Sequence, residues 1–211
     1  MKTDDLIRAL STDTRLDARP TAALVAGVML TTSAALAMLW LTLGFRDDLL
    51  PSMIAPVSAL RYLLTGAVGL IGLRLALVLA RPEGAGLARL WPLAAVGFAA
   101  LGLLLWAYVS TPADGRQMAL VGKTMVTCLV TIPLLSILPV TAILVALRQG
   151  ATTTPALAGF VAGVAGSGLS AMVYATHCTE DSPLFYVTWY GLAMCGVALV
   201  STLVGARVLR W

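Results

Sequence analysis

Six apolar runs, each about as long as a bilayer is thick, constrain this chain more than any other feature of its sequence. They fall at approximately 21–43, 58–80, 90–110, 120–147, 155–176 and 185–206. A helix rises about 1.5 Å per residue, so roughly 20 residues cross a hydrocarbon core of about 30 Å. Lipid offers backbone groups no water to bond, so a spanning segment is a helix or a barrel strand, and these runs are too long for strands. The expected fold class is all-α: a polytopic membrane protein, a bundle of six transmembrane helices with a short cytoplasmic N-terminal helical arm. Composition agrees, with 59% of 211 residues hydrophobic and 11% charged, where soluble domains carry about 25% charged residues. The separators FRDDLLPSMIAP, RPEGAGLAR, TPADGRQ, RQGATTTP and HCTEDSP are too short for a second domain. The expected organisation is an arm over 1–20 and a transmembrane domain over 21–211. A cleavable signal is not expected, because residues 1–20 mix four basic with four acidic side chains and the first apolar run is span-length.

An even number of spans puts both termini on one side. With the N-terminus in the cytoplasm, the inner segments hold Lys2, Arg8, Arg15, Arg19, Arg81, Arg89, Arg148, Arg207 and Arg210, and the outer ones Arg46, Arg116 and Lys123. Nine against three is the positive-inside pattern, so both termini are expected to be cytoplasmic and HCTEDSP to face outward. The basic residues are scattered over loops, which makes the lipid bilayer the expected partner and argues against direct contact with nucleic acid. Trp40, Trp106, Tyr108, Tyr174, Tyr186 and Trp189 are expected at the outer interface, Trp91 and Trp211 at the inner.

Inside the spans the sequence reads mainly as packing. PALAGFVAGVAGSGLSA in span 5 carries Gly159 and Gly163 in a GxxxG, and span 2 carries Gly66, Gly69 and Gly72; small residues let helix backbones approach closely. Pro133 and Pro139 are expected to bend span 4. Arg61 and Arg74 lie near span ends, where long side chains snorkel to the interface. The spans lack a mid-bilayer carboxylate, which disfavours the alternative of a small transporter or channel.

The reactive groups collect in one place. ATHCTEDSPLFY holds the only histidine, His177, then Cys178, Glu180 and Asp181. Counting helix rise, Cys128 lies near the outer end of span 4 and Cys195 about three turns down span 6, so on depth Cys128 and Cys178 make the better pair. Two thiols suit a soft metal, with His177 and Glu180 or Asp181 completing its shell, or they suit a disulfide. The competing reading makes Cys195 a small apolar residue and lets Asp181 and Ser182 cap span 6 ahead of Pro183. A membrane thiol oxidoreductase is a further alternative, disfavoured by the absence of a CxxC. Catalytic residues are not expected, nor is a required cofactor; the one inorganic ligand this chemistry admits is a transient soft metal ion at Cys128 and Cys178.

MKTDDLIRALSTDTRLDARP is the one sizeable polar segment. Asp4 and Asp5 suit the first turn of a helix, and Leu6, Ile7 and Leu10 form a short apolar stripe. A helix of about ten residues is marginal alone, so it needs a surface: the membrane, or the groove of a soluble partner. Four acidic residues disfavour an anionic leaflet.

The opening MKTDDLIRALSTD, the six spans, a cysteine in span 4 and the HC-x-EDSP loop together resemble the NrsF family, bacterial inner-membrane anti-sigma factors. The resemblance implies sequestration of an extracytoplasmic-function sigma factor at the inner membrane, and release under heavy-metal or oxidative stress perceived through Cys128 and Cys178. It further implies that the arm around Asp4, Asp5, Leu6, Ile7 and Leu10 contacts the sigma factor. Cys195 lies outside the family pattern.

Overall fold

The computed structural model describes residues 20–210, which form helices and the turns between them, with no strand among the described residues. In chain order the helices are α1 (Pro20–Thr42), α2 (Leu49–Ile54), α3 (Pro56–Leu79), α4 (Gly84–Leu87), α5 (Trp91–Ser110), α6 (Ala113–Val121), α7 (Met125–Arg148), α8 (Pro155–Tyr174) and α9 (Pro183–Val208). Six segments are long and apolar enough to cross a membrane: α1, α3, α5, the α6–α7 stretch, α8 and α9. The expected spans therefore recur, within a few residues at most ends. Several begin on proline in the first turn, as in α3, α5, α8 and α9, where the missing N–H would have no helical partner anyway. Hydroxyls inside the helices bond back to the preceding turn, Thr65 to Arg61 O at 2.8 Å and Ser136 to Ile132 O at 2.7 Å, so neither is left unpaired where it is buried.

Helix α8 is the axis of the bundle, packed against α9, α3, α7 and α1. Its glycines set the spacing. A Cβ on Gly163 would come within 2.7 Å of Ala198 Cα on α9, one on Gly166 within 2.9 Å of Val140 N on α7, and one on Gly168 within 2.9 Å of Gly69 Cα on α3. Gly72 meets Ala165 in the same way. The small residues of spans 2 and 5 thus face one another, and the packing reading of both stretches holds. Helix α5 is peripheral, touching α9 and α3 and leaving most of its surface exposed.

Three expectations change. Span 4 does not run unbroken from residue 120: the chain forms α6, turns at Gly122 (φ 59°, ψ −166°) and restarts at Met125. That backbone region is open essentially to glycine alone. Helix α7 then runs through both Pro133 and Pro139. Second, Tyr174 and Tyr186 are buried core residues, not interface aromatics, whereas Trp40, Trp91, Trp106 and Tyr108 do lie exposed. Third, Arg61 does not snorkel; it is 0% exposed, because carbonyl and carboxylate partners reach it from the loop between α8 and α9.

Candidate functional site

One end of the bundle is closed by the 175–182 turn, the α1–α2 link and the α6–α7 turn, which meet as a polar cap. Arg46 organises it. Its Nε and Nη2 bond Asp48 at 2.6 and 2.8 Å, Nη1 and Nη2 bond Asp181 at 2.9 and 3.0 Å, and Nη1 also donates to Cys178 O at 3.0 Å. The Arg46 side chain is 2% exposed and Asp181 41%, so this pair is dry on one side and wet on the other. Arg61 approaches from below: Nη1 donates to Glu180 O at 2.8 Å, and Nη2 lies 3.3 Å from Asp181 Oδ1. Two forked cations therefore converge on one carboxylate, a geometry that guanidinium fits well.

The electrostatics follow from these contacts. Hydrogen bonds with Asp48 and then Asp181 hold the Arg46 pKa above its ordinary value. The bond from Arg46 keeps Asp48 below its usual range. At Asp181 partial burial pushes upward, but the bond and charge of Arg46 and the charge of Arg61 outweigh it, and the carboxyl titrates lower than usual.

The other loop residues also have defined partners. His177 Nδ1 sits 3.0 Å from Gly44 O; a carbonyl only accepts, so Nδ1 carries the proton there. Glu180 Oε1 accepts from Lys123 N at 2.7 Å. Tyr62 Oη donates to Ala175 O at 2.9 Å, fastening the loop to α3, and Tyr186 Oη donates to Val57 O at 3.1 Å, fastening the start of α9 to α3. Trp189 Nε1 donates to Leu120 O at 2.7 Å, fastening α6 to α9. Ser182 stands at the N-cap of α9 without a side-chain cap bond, and Asp181 is engaged by the arginines. The capping expectation for that pair therefore fails: the carboxylate finds charged donors, which outcompete a backbone N–H.

Beneath the cap lie Cys128 and Cys178, both free, 0% and 1% exposed, in one cluster with Tyr174, Phe185, Tyr186 and Tyr190. Thr124 touches both cysteines, the Cys178 side chain and the Cys128 backbone. Its Oγ1 is 3.7 Å from Cys178 Sγ, and its carbonyl accepts from Cys128 N at 2.9 Å. Cys195 is exposed on α9 and is not part of this cluster. The structure thus gathers Cys128 and Cys178. It does not gather His177, Glu180 and Asp181 around them: among the described residues no three His, Cys, Asp or Glu side chains converge as a metal site. Cys178 is also roofed over, so a reagent approaching from the loop side does not meet an open thiol as the loop position alone would suggest. The arm residues Asp4, Asp5, Leu6, Ile7 and Leu10 lie outside the described residues.

Arg46 and Arg61 are the residues of the cap that sequence reasoning missed. A signal existed. Arg61 sits in a span with no acidic partner within that span, while a loop predicted to lie at the same depth carries two carboxylates.

Comparison with known proteins gives the chain a family. The family model described as NrsF, negative regulator of sigma F, matches residues 10–211. A Caulobacter vibrioides protein named anti-sigma-F factor NrsF is 35% identical, with 100% of both chains covered. An Azospira oryzae protein named probable anti-sigma-F factor NrsF is 32% identical, again with 100% of both chains covered. No solved structure matches. With a family match over nearly its whole length and full-length relatives above 30% identity, the chain belongs to the NrsF family.

Proposed function

We propose that this chain is an anti-sigma factor that holds an extracytoplasmic-function sigma factor at the bacterial inner membrane and releases it when Cys128 and Cys178 react with a soft metal ion or an oxidant. The observation that carries the reading is a pair of free, buried thiols in one cluster under a polar cap, in a chain whose relatives are named anti-sigma-F factors. The arm bearing Asp4, Asp5, Leu6, Ile7 and Leu10 docks the sigma factor on the cytoplasmic side. Both termini are cytoplasmic, so the cap faces the periplasm.

The chemistry is stoichiometric and not a turnover. An oxidant that accepts two electrons, with loss of two thiol protons, joins the sulfurs as a disulfide. A soft ion instead displaces the protons and bridges two thiolates. Either event draws the start of α7 towards the loop between α8 and α9. Helix α7 packs on both α8 and α9, so the displacement passes to the far face as a rigid-body shift. A swing from 1:99 to 99:1 needs about 5.5 kcal/mol of differential affinity; structural zinc sites reach about 10–16 kcal/mol, roughly half of which suffices.

The test is co-purification of the sigma factor with the full-length chain in detergent, followed by challenge with cadmium or peroxide. Retention at rest and release on challenge are expected. Cys128→Ser and Cys178→Ser should each hold the sigma factor under challenge, with the double variant no worse, and Cys195→Ser should release it normally. Absence of a co-purifying sigma factor overturns the anti-sigma reading. Release from both single variants at wild-type doses overturns the thiol mechanism alone.

A further inference from the structure

A second site lies on the lipid side of the cap, and the thiol reading does not use it. A cavity of about 620 Å³ opens between α3, α5, α8 and α9, within the range of small-molecule sites. Its wall along α9 runs from Tyr186 to Leu199, about 20 Å of helix. On α5 it is lined by Leu93, Gly97 and Ala100. The slot is apolar throughout, except at its cap end. There Arg61 and Tyr190 line it, 0% and 2% exposed. Arg61 Nη2 faces Asp181 Oδ1 at 3.3 Å, but Arg61 Nε and Tyr190 Oη are buried and make no hydrogen bond. Both atoms can donate, and guanidinium can do nothing else; buried donors without acceptors are costly. The cavity is thus a long greasy groove ending in unanswered donors.

The charges decide what kind of acceptor fits. Arg46 and Arg61 already face Asp48 and Asp181, two cations against two anions, with the Glu180 carboxylate on the same cap. A further anion there would sit in a cluster already neutral and next to a third carboxylate. A neutral carbonyl oxygen accepts the same hydrogen bonds without that repulsion. A phosphate would also need to lie beneath the 175–182 turn that roofs Arg61.

We propose that this cavity binds a neutral, carbonyl-bearing amphiphile with one long hydrocarbon tail, of the membrane-quinone class, its carbonyl accepting from Arg61 and Tyr190 and its tail lying along α9. Tyr186 and Tyr190 flank the ring, and the loosely packed α5 is the side of entry from the bilayer.

Cys195 lines the cavity and is exposed, whereas the other two cysteines are buried, so it reports occupancy. The full-length chain in nanodiscs is labelled with N-ethylmaleimide, with and without decylubiquinone, whose fully substituted ring does not add to thiols. Labelling of Cys195 is read by mass spectrometry. Saturable protection by decylubiquinone is expected, with oleate and phosphatidylglycerol protecting far less. Arg61→Leu should weaken protection by about tenfold or more, the loss expected for bonds from a charged donor. Because that variant risks the fold, Gly97→Leu and Gly191→Leu serve as well. Both glycines line the cavity and a Cβ on either meets nothing within 4 Å, so the added side chain fills the void without a backbone clash. In both, labelling with and without quinone should become equal. Equal protection by oleate or phosphatidylglycerol, insensitive to Arg61→Leu, would identify an unselective acyl-chain crevice and overturn the proposal. So would an absence of saturable protection, or undiminished protection in the leucine variants.

Discussion

Arg46 has an ion partner in its own loop, Asp48, but Asp181 is the residue that answers two buried arginines at once. Removing one member of a buried ion pair typically costs about 3–5 kcal/mol, because the other charge is left stranded. Asp181 is 41% exposed, so water screens part of that loss and about 1–3 kcal/mol is the expected destabilisation for Asp181→Asn. Thermal unfolding in detergent should show it as a lowered midpoint. The sign of the pH effect follows from the depressed Asp181 and Asp48 carboxyls. A group whose folded pKa is lowered adds stability above its unfolded value, about 3.9 for aspartate, and loses it as pH falls through the folded value. The midpoint should therefore be insensitive to these groups from neutral pH to about 5, then fall below about pH 4. In Asp181→Asn the acid limb should be shallower. A wild-type midpoint that stays level to pH 3 would show that the arginine–aspartate cap contributes nothing to stability.

At the scale of elements, the six spans were legible because each is a largely apolar run with breakers at both ends. The α8 packing face was legible too, since Gly159 and Gly163 repeat at one helical turn, and both meet the α9 backbone near Ser201. What stayed hidden was the cap. Arg61 pairs with Asp181 across 120 residues, and hydropathy carries no sign of which loop folds back over which span. The break at Gly122 was hidden for a related reason: α6 continues the helical pattern, and only the third dimension shows Phe185 and Glu180 occupying the space beside the turn. A Cβ at Gly122 would fall 2.7 Å from the Phe185 ring and 2.8 Å from Glu180 Cδ. Gly122→Ala should thus cost about 1–3 kcal/mol in backbone strain, and it displaces the side chain that accepts from Lys123 N. The loosened roof should let a membrane-impermeant thiol reagent reach Cys178 faster than in wild type, where that residue is 1% exposed. Unchanged labelling with unchanged stability would mean that the α6–α7 turn does not help to close the cap.

For the whole molecule, the proposed signal has to cross the bundle. The thiols lie at the cap, whereas α1 starts at the opposite face, so the arm proposed to dock the sigma factor precedes the far end of the helices in sequence. Separate sites allow separate losses. Replacing Leu6 and Leu10 with Asp should abolish retention of the sigma factor, since each buried leucine is worth about 1.5–3 kcal/mol, or one to two orders of magnitude in affinity. The same variant should insert normally and keep wild-type Cys178 labelling, because the contacts that build the cap and the α8 interfaces are made among residues 20–210. Cys128→Ser should do the reverse, with sigma bound at rest and not released by cadmium. A reporter fused after Trp211 should be cytoplasmic in both, which fixes the two functions to opposite sides of one membrane. Should the arm variant still retain the sigma factor, docking belongs to another cytoplasmic surface, such as the turns around Arg81 and Arg148, and the arm is not the anchor. Should it lose both retention and insertion, the arm serves the bundle and not a partner.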